Sequence, residues 1–198
     1  MTSRRRAGDH FAKRAKKENF PARSVYKLKE IDDKTNLLRR NDKVLDLGAA
    51  PGSWTLYASE KVGPEGLVIA VDQQALNTGV GPNVRYFEGD VFTVDVDEIL
   101  APLEGARLDA VISDMAPWTS GHRFVDQSRS FNLFMRALEI AEQTVRPGGR
   151  FVGKIFQGGD FEEARAKVRE LFQTVKIVRP KSVRTESYEI YLVGLNRK

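Results

Sequence analysis

The 198-residue chain contains no cysteine. This excludes a disulfide framework, a thiolate nucleophile and any cysteine-held zinc or iron–sulfur cluster, and with them covalent cysteine adducts and cluster-based radical chemistry. Histidine is scarce, at two residues; these and the acidic residues do not fall into a compact ligand pattern, so no metal site is expected. No uninterrupted apolar run approaches the roughly 20 residues of a membrane-spanning helix. The basic start Met1-Thr2-Ser3-Arg4-Arg5-Arg6 is not followed by the apolar stretch of a secretory signal. No membrane partner and a cytoplasmic location are the resulting expectations. A Pro/Gly/Ser-rich linker is also missing, so one domain is expected.

What the chain does have is an uneven distribution of charge. Residues 1–40 carry 13 Lys/Arg against 5 Asp/Glu, whereas the remainder carries 19 against 22. The positive field is concentrated in the N-terminal part, where phosphates would be attracted most strongly. Residues 1–20 have few periodic apolar positions and are expected to be mobile without a partner. This divides the chain into a basic, flexible segment over 1–22 and a folded domain over 23–198.

From Ser24, a candidate N-cap, Val25, Leu28 and Ile31 mark a short helix that carries Lys27. Apolar runs at 43–47, 67–71, 84–87, 108–113 and 150–155, bounded by Gly, Asp or Pro, read as buried strands. The intervening segments 53–61, 129–146 and 160–172 read as helices. In the second of these, Phe131, Phe134, Leu138, Ala141 and Val145 form one apolar stripe, which assigns the two phenylalanines to the core, and Pro147-Gly148-Gly149 stops the helix. Residues 174–178 and 188–193 are β-rich and too close together for a parallel crossover, so they should pair antiparallel. The expectation is an α/β, doubly wound fold with a mostly parallel sheet and a C-terminal antiparallel strand.

The first strand, Lys43–Leu47, runs into Gly48-Ala49-Ala50-Pro51-Gly52 and then a helix near Ser53-Trp54. Small residues at the carboxyl end of a strand allow backbone to approach a ligand. The loop lacks both the Gly-x-Gly-x-x-Gly nicotinamide fingerprint and the Gly-Lys-Ser/Thr of a phosphate-binding loop. Asp72 and Asp90 follow the second and third strands, where carboxylates can accept from ribose hydroxyls and from an exocyclic amine; Asp46 can orient a further polar portion of the ligand. Lys154 interrupts the apolar run Phe151–Phe156, and a lysine buried on a strand needs a compensating partner. Asp114, ending the neighbouring strand, is placed to supply it.

The run Asp46-Leu47-Gly48-Ala49-Ala50-Pro51-Gly52-Ser53-Trp54 resembles the cofactor loop of the FtsJ/RrmJ-type ribose 2′-O-methyltransferases of large-subunit ribosomal RNA. Four further stretches match in order: Arg23–Leu28, Ser113-Asp114-Met115-Ala116-Pro117 with Ser120-Gly121, Gly153–Gly158, and Ser187–Tyr191. The resemblance spans about Ser24 to Leu195. It implies a Rossmann-like S-adenosylmethionine methyltransferase fold, with S-adenosyl-L-methionine held by Asp46, Gly48, Ala49, Ala50, Pro51, Gly52, Trp54, Asp72, Asp90 and Asp114. It also implies a catalytic tetrad of Lys27, Asp114, Lys154 and Glu189. Lys154 would take the 2′-hydroxyl proton or steer an oxygen lone pair toward the methyl; both roles are open, because a neighbouring carboxylate holds an ammonium protonated while a neighbouring ammonium opposes it. Arg23, Arg179, Lys181 and Arg184 are candidate RNA-binding residues, with Arg123 and Arg129 as extensions.

Three positions depart from the family wording: Ser53 for a common Gly, Arg179 for a common Lys and Val183 for a common Ser. The last removes one potential hydrogen bond to RNA or backbone. The expected substrate is large-subunit ribosomal RNA within the assembled subunit, acted on by a monomer. The alternatives are a transfer RNA ribose 2′-O-methyltransferase and a non-catalytic RNA-binding ribosome assembly factor.

Overall fold

The computed structural model describes residues 3–184 and 186–198. Helix α1 (Ser3–Lys17) and α2 (Val25–Thr35) precede an alternation of β1 (Lys43–Leu47), α3 (Ser53–Val62), β2 (Leu67–Asp72), β3 (Val84–Glu88), α4 (Val96–Leu100) and β4 (Leu108–Ser113). Then follow α5 (Arg123–Thr144), β5 (Val145–Phe156), α6 (Phe161–Leu171), β6 (Phe172–Val178) and β7 (Glu189–Arg197). The seven strands lie in the order β3-β2-β1-β4-β5-β7-β6. All neighbouring pairs are parallel except those of β7, which is antiparallel to both β5 and β6. The expected pairing of the last two strands is present; the insertion of β7 between β5 and β6 is additional.

Strand alternation sorts the side chains into two cores. Val44, Val68, Ala110, Ile112, Val152, Tyr191 and Val193 face α2 and α3, meeting Leu28, Ile31, Trp54, Tyr57 and Ala58. Leu45, Leu47, Ile69, Val111, Phe151 and Leu192 face α5 and α6, meeting Phe134, Leu138, Ala164 and Val168. Phe134 is buried and Phe131 packs against the same cluster, so the helical stripe is core, as expected. The Phe134 ring lies so close to β5 that a Cβ on Gly153 would approach it to 2.8 Å. Only glycine lets α5 press on the strand next to Lys154.

Several details differ from the sequence expectations. Ser24 has helical backbone angles and makes no side-chain capping bond; its carbonyl accepts from Trp54 Nε1 instead, at 3.0 Å. Helix α5 starts at Arg123 and ends at Thr144, and Val145 enters β5 directly by pairing with Leu108, so Pro147-Gly148-Gly149 lies inside a bulged strand rather than after a helix. The short α4, capped by Asp95 accepting from Asp97 and Glu98 amides, is too brief for periodicity to reveal.

The N-terminal segment, expected to be mobile without a partner, contains a helix. Residues 3–17 are helical, Ala15 and Phe20 are buried, and the Phe11 ring lies 5.4 Å from that of Tyr26 on α2. Met1 and Thr2, the start of the segment expected to be mobile, lie outside the described residues. Among the described residues, no helix is long and apolar enough to cross a membrane, and no group of three or more His, Cys, Asp or Glu is placed to hold a metal.

Candidate active site

Strand parity builds the site. Asp46 shares its face with Val44, Asp114 with Ala110 and Ile112, Lys154 with Val152, and Glu189 with Tyr191, all on the α2–α3 side of the sheet. The register sets Lys154 opposite Tyr191 and Phe156 opposite Glu189. Four adjacent strands therefore present polar groups to one volume at the carboxyl edge of the parallel sheet, and α2 brings Lys27 over it.

The four tetrad residues meet. Lys27 Nζ lies 2.6 Å from Glu189 Oε1 and 3.6 Å from Asp114 Oδ2. Lys154 Nζ lies 3.2 Å from Asp114 Oδ1 and donates to the Asp114 carbonyl. All four side chains are at most 14% exposed, so their charges interact through protein more than through water. Burial opposes the charge on Lys27, but Asp114 and Glu189 outweigh it and hold its pKa above the ordinary lysine value. Burial likewise opposes the charge on Asp114, yet Lys154, Lys27 and the Tyr191 hydroxyl keep its pKa below the usual carboxylate range.

Tyr191 is a fifth member that sequence reasoning did not single out. Its hydroxyl donates to Asp114 Oδ1 at 2.7 Å, its ring lies 5.9 Å from Trp54, and Lys27 Nζ stands 6.0 Å from the ring centroid. Burial first, and then Asp114 and Glu189, push its pKa well above the ordinary phenol value, so it stays a donor. The signal was available in the i, i+2 spacing from Glu189, which places both on one face of β7.

A cavity of about 750 Å³ opens beside the tetrad. Gly48, Ala50, Asp72, Asp90 and Asp114 line it, with Met115 through Trp118 forming its far wall. Asp72 Oδ2 accepts from the Ala50 amide at 2.9 Å and Oδ1 from Gln74; Asp90 accepts from the Phe92 amide. A Cβ at Gly48 would approach Met115 Cγ to 2.6 Å, and φ there is +78°, so the loop needs glycine on both counts. Gly52 has φ +109° and a Cβ would meet Thr78 at 2.6 Å.

The remaining cofactor candidates, Asp46, Ala49, Pro51, Gly52 and Trp54, are not among the residues that line this cavity. Asp46 is fully buried and accepts from Thr55 Oγ1 at 2.7 Å, while its Oδ1 has no partner. Burial, reinforced by Asp114 and Asp72, raises its pKa to about 7. An orphaned buried oxygen beside two more carboxylates is a setting that favours a cationic ligand. Ala49 and Trp54 are buried, and Trp54 ties the loop to α2 through Ser24. Ser53, the departure from the family's glycine, accepts from the Ala22 amide at 2.8 Å and donates to its carbonyl, fastening the segment before α2 to the loop.

Of the RNA candidates, Arg23 and Arg184 come together beside the tetrad. Burial, then the charge of Arg184, lowers the pKa of Arg23, and Glu189 partly offsets both. The turn carrying Lys181 and Arg184 is fixed to α2, because Glu30 accepts from the Lys181 and Ser182 amides at 2.7 and 3.2 Å. Arg179 is exposed and donates to the Ser187 carbonyl at 2.7 Å. Val183 is buried in the α2-side core; the exchange of serine for valine there serves packing.

The FtsJ-like methyltransferase family model matches residues 20–197. Ribosomal RNA large subunit methyltransferase E of Sorangium cellulosum is 49% identical over 190 residues, covering 96% of this chain and 88% of that one. Its counterpart in Oleidesulfovibrio alaskensis is 50% identical over 190 residues, covering 96% and 92%. A ribosomal RNA methyltransferase structure from Plasmodium falciparum superposes with a TM-score of 0.78 at 28% identity, over 90% of this chain and 98% of that one. Fibrillarin of Aeropyrum pernix, with natively bound S-adenosyl-L-methionine, shares the fold at a TM-score of 0.56 and 16% identity, over 80% and 68%. With the family model and these relatives spanning nearly all of it, the chain belongs to the FtsJ-like methyltransferase family.

Proposed function

We propose that the protein transfers a methyl group from S-adenosyl-L-methionine to a ribose 2′-hydroxyl of large-subunit ribosomal RNA, within the assembled subunit. The observation that carries this reading is Lys154, buried within the apolar stretch Phe151–Phe156 of β5 and paired with Asp114 at the cavity edge. When bound, the cofactor supplies the electrophilic methyl on its sulfonium. Asp72 and Asp90 would hold its nucleoside portion, the small residues of the Gly48–Gly52 loop would let backbone approach it, and Asp46 would add negative potential.

Methyl transfer to a hydroxyl needs alignment and a place for one proton. Lys154 contacts the hydroxyl and takes that proton or turns the oxygen lone pair toward the methyl. Asp114, bridged to both lysines and to Tyr191, fixes Lys154 Nζ in space. Lys27, fastened by Glu189, balances negative charge developing on the oxygen. An RNA-binding assembly factor would not require two lysines and two carboxylates interlocked beside a cofactor cavity. The names of the relatives favour ribosomal over transfer RNA as substrate.

The deciding experiment incubates the protein with labelled cofactor and large subunits from cells lacking the methyltransferase. Label is expected in ribosomal RNA, in a linkage that resists alkaline cleavage because its 2′-oxygen is blocked. Label in a base, or none in intact subunits, overturns the reading. The reaction belongs to a cytoplasmic monomer in this proposal, with Arg23, Arg179, Lys181, Arg184 and the basic N-terminal segment gripping phosphates. Subunit binding should therefore weaken steeply between low and high salt while cofactor binding changes little; filter binding and calorimetry check both arms.

Asp46 provides a pH test. Its folded pKa, about 7, exceeds the unfolded value of about 3.9, so the folded chain holds the proton more tightly. Stability of the free protein therefore falls as pH rises from about 4 to about 7. A cationic ligand favours the carboxylate, so cofactor affinity should rise over the same window and level off above it. Asp46→Asn is expected to flatten that profile and to melt higher than wild type at pH 8, but not at pH 4. Calorimetric titrations and thermal melts across pH report both.

A further inference from the structure

We propose that Trp118, at the cavity mouth, and Tyr188, next to Glu189, form an aromatic clamp that stacks against unpaired bases of the RNA so that a single strand lies across Lys154. This rests on the reading of the substrate as RNA and adds the residues that hold its bases. Phe92, Trp118, Phe124 and Tyr188 are the aromatic side chains most open to solvent among the described residues, Trp118 and Phe124 at 82%. They do not scatter over the surface. Phe92 and Trp118 line the cavity, Tyr188 immediately precedes Glu189, and Phe124 follows Arg123, whose guanidinium lies 4.1 Å from the Tyr188 ring centroid.

Large rings left in water usually mark a surface that something covers. Trp118 is exposed but held. Its carbonyl accepts from Arg129, which also lines the cavity, and two residues on, Ser120 is fastened to Asp126 through its amide and hydroxyl at 2.7 and 2.9 Å. The loop thus carries the indole at the mouth, four residues beyond Asp114. Next to Glu189, Arg123 over Tyr188 is a preformed cation–aromatic stack of the kind on which nucleobases extend. Arg129 on the cavity wall, Arg123 at Tyr188, and Arg23 with Arg184 near Glu189 supply charge complementary to phosphates, which favours a nucleic acid over a neutral apolar partner.

The chemistry also calls for a clamp. A ribose reaches a lysine recessed in a sheet edge only if its nucleotide leaves the helical stack, and the base then loses its neighbours. Rings at the site rim replace those contacts for any base, since every base has a π-face.

The test compares Trp118→Ala, Trp118→Phe, Tyr188→Ala and Tyr188→Phe with wild type, using large subunits from cells lacking the methyltransferase as substrate. Each alanine variant should raise KM for subunits roughly 10–100-fold with a smaller effect on kcat. Each phenylalanine variant should stay close to wild type, because a flat ring remains. Cofactor affinity, measured by calorimetry, should be unchanged in the two Tyr188 variants, and thermal melts should match wild type in all four, which reports that they are folded. Unchanged KM in the alanine variants overturns the clamp, as does equal impairment by phenylalanine and alanine, or a parallel loss of cofactor affinity in the Tyr188 variants. Failure of the wild-type protein to methylate subunits would instead overturn the substrate reading, and the clamp with it.

Discussion

Lys154→Ala is expected to lower kcat by roughly 10²–10⁴-fold, the usual contribution of a positioned acid–base group, with little change in cofactor affinity. The lysine contacts Asp114 through both carboxylate and carbonyl and is not part of the cavity wall. Its loss therefore removes the group that meets the hydroxyl and leaves the cofactor's contacts intact. Lys154→Arg separates the two roles open to it. A guanidinium stays protonated and can still steer an oxygen, but it cannot accept a proton near neutral pH. Residual activity in the arginine variant above that of alanine supports steering, whereas equal loss supports proton abstraction. Single-turnover rates with saturating cofactor and large subunits make the comparison. A rate for Lys154→Ala equal to wild type would refute the proposed chemistry.

The second large effect is expected at Asp114, where Lys27, Lys154 and Tyr191 converge. Asp114→Asn should abolish measurable turnover and also destabilise the fold by about 3–5 kcal/mol, because two buried ammonium groups then face each other with Glu189 as their remaining tetrad carboxylate. The effect carries a pH signature. The folded pKa of Asp114 lies below its ordinary value, so its stabilisation is fully present above the unfolded carboxylate pKa of about 3.9 and is lost as pH falls through the lower folded value. Melting temperatures of wild type and variant should therefore differ most near neutral pH, and the difference should narrow as pH falls below the unfolded carboxylate value of about 3.9. A difference that stays constant as the carboxylate is protonated would show that its charge is not what stabilises the site.

The legible parts of the fold were those that local pattern controls. The strands around Val44, Val68, Ala110 and Val152 are buried on both faces and read as continuous apolar runs; helix α5 shows its stripe through Phe134 and Leu138. The boundaries were less legible where tertiary pairing overrides local signals. Val145 belongs to β5 because Leu108 offers it a ladder position, although it also fits the helical stripe. Residues 3–17 have little apolar periodicity, yet Phe11 and Ala15 suffice to place a helix against Tyr26.

The site shows the same division. The sequence alone determined its chemical inventory: small residues after β1, acids at Asp72 and Asp90, and a lysine at 154 that no apolar strand accommodates without a partner. Those properties are local, since each is a residue type at a strand end or within a strand. Beyond the Lys154–Asp114 pair expected from neighbouring strand ends and the tetrad that the resemblance implied, the tertiary structure decided how the groups touch. Placing β7 between β5 and β6 sets Glu189 and Tyr191 beside Lys154, and packing α2 over that edge brings Lys27 within 2.6 Å of Glu189. Strand order is a long-range choice governed by how two cores close around one sheet, and nothing within a single segment encodes it. Likewise the exposure of Trp118 and the stacking of Arg123 on Tyr188 depend on how a loop and a strand end meet in space.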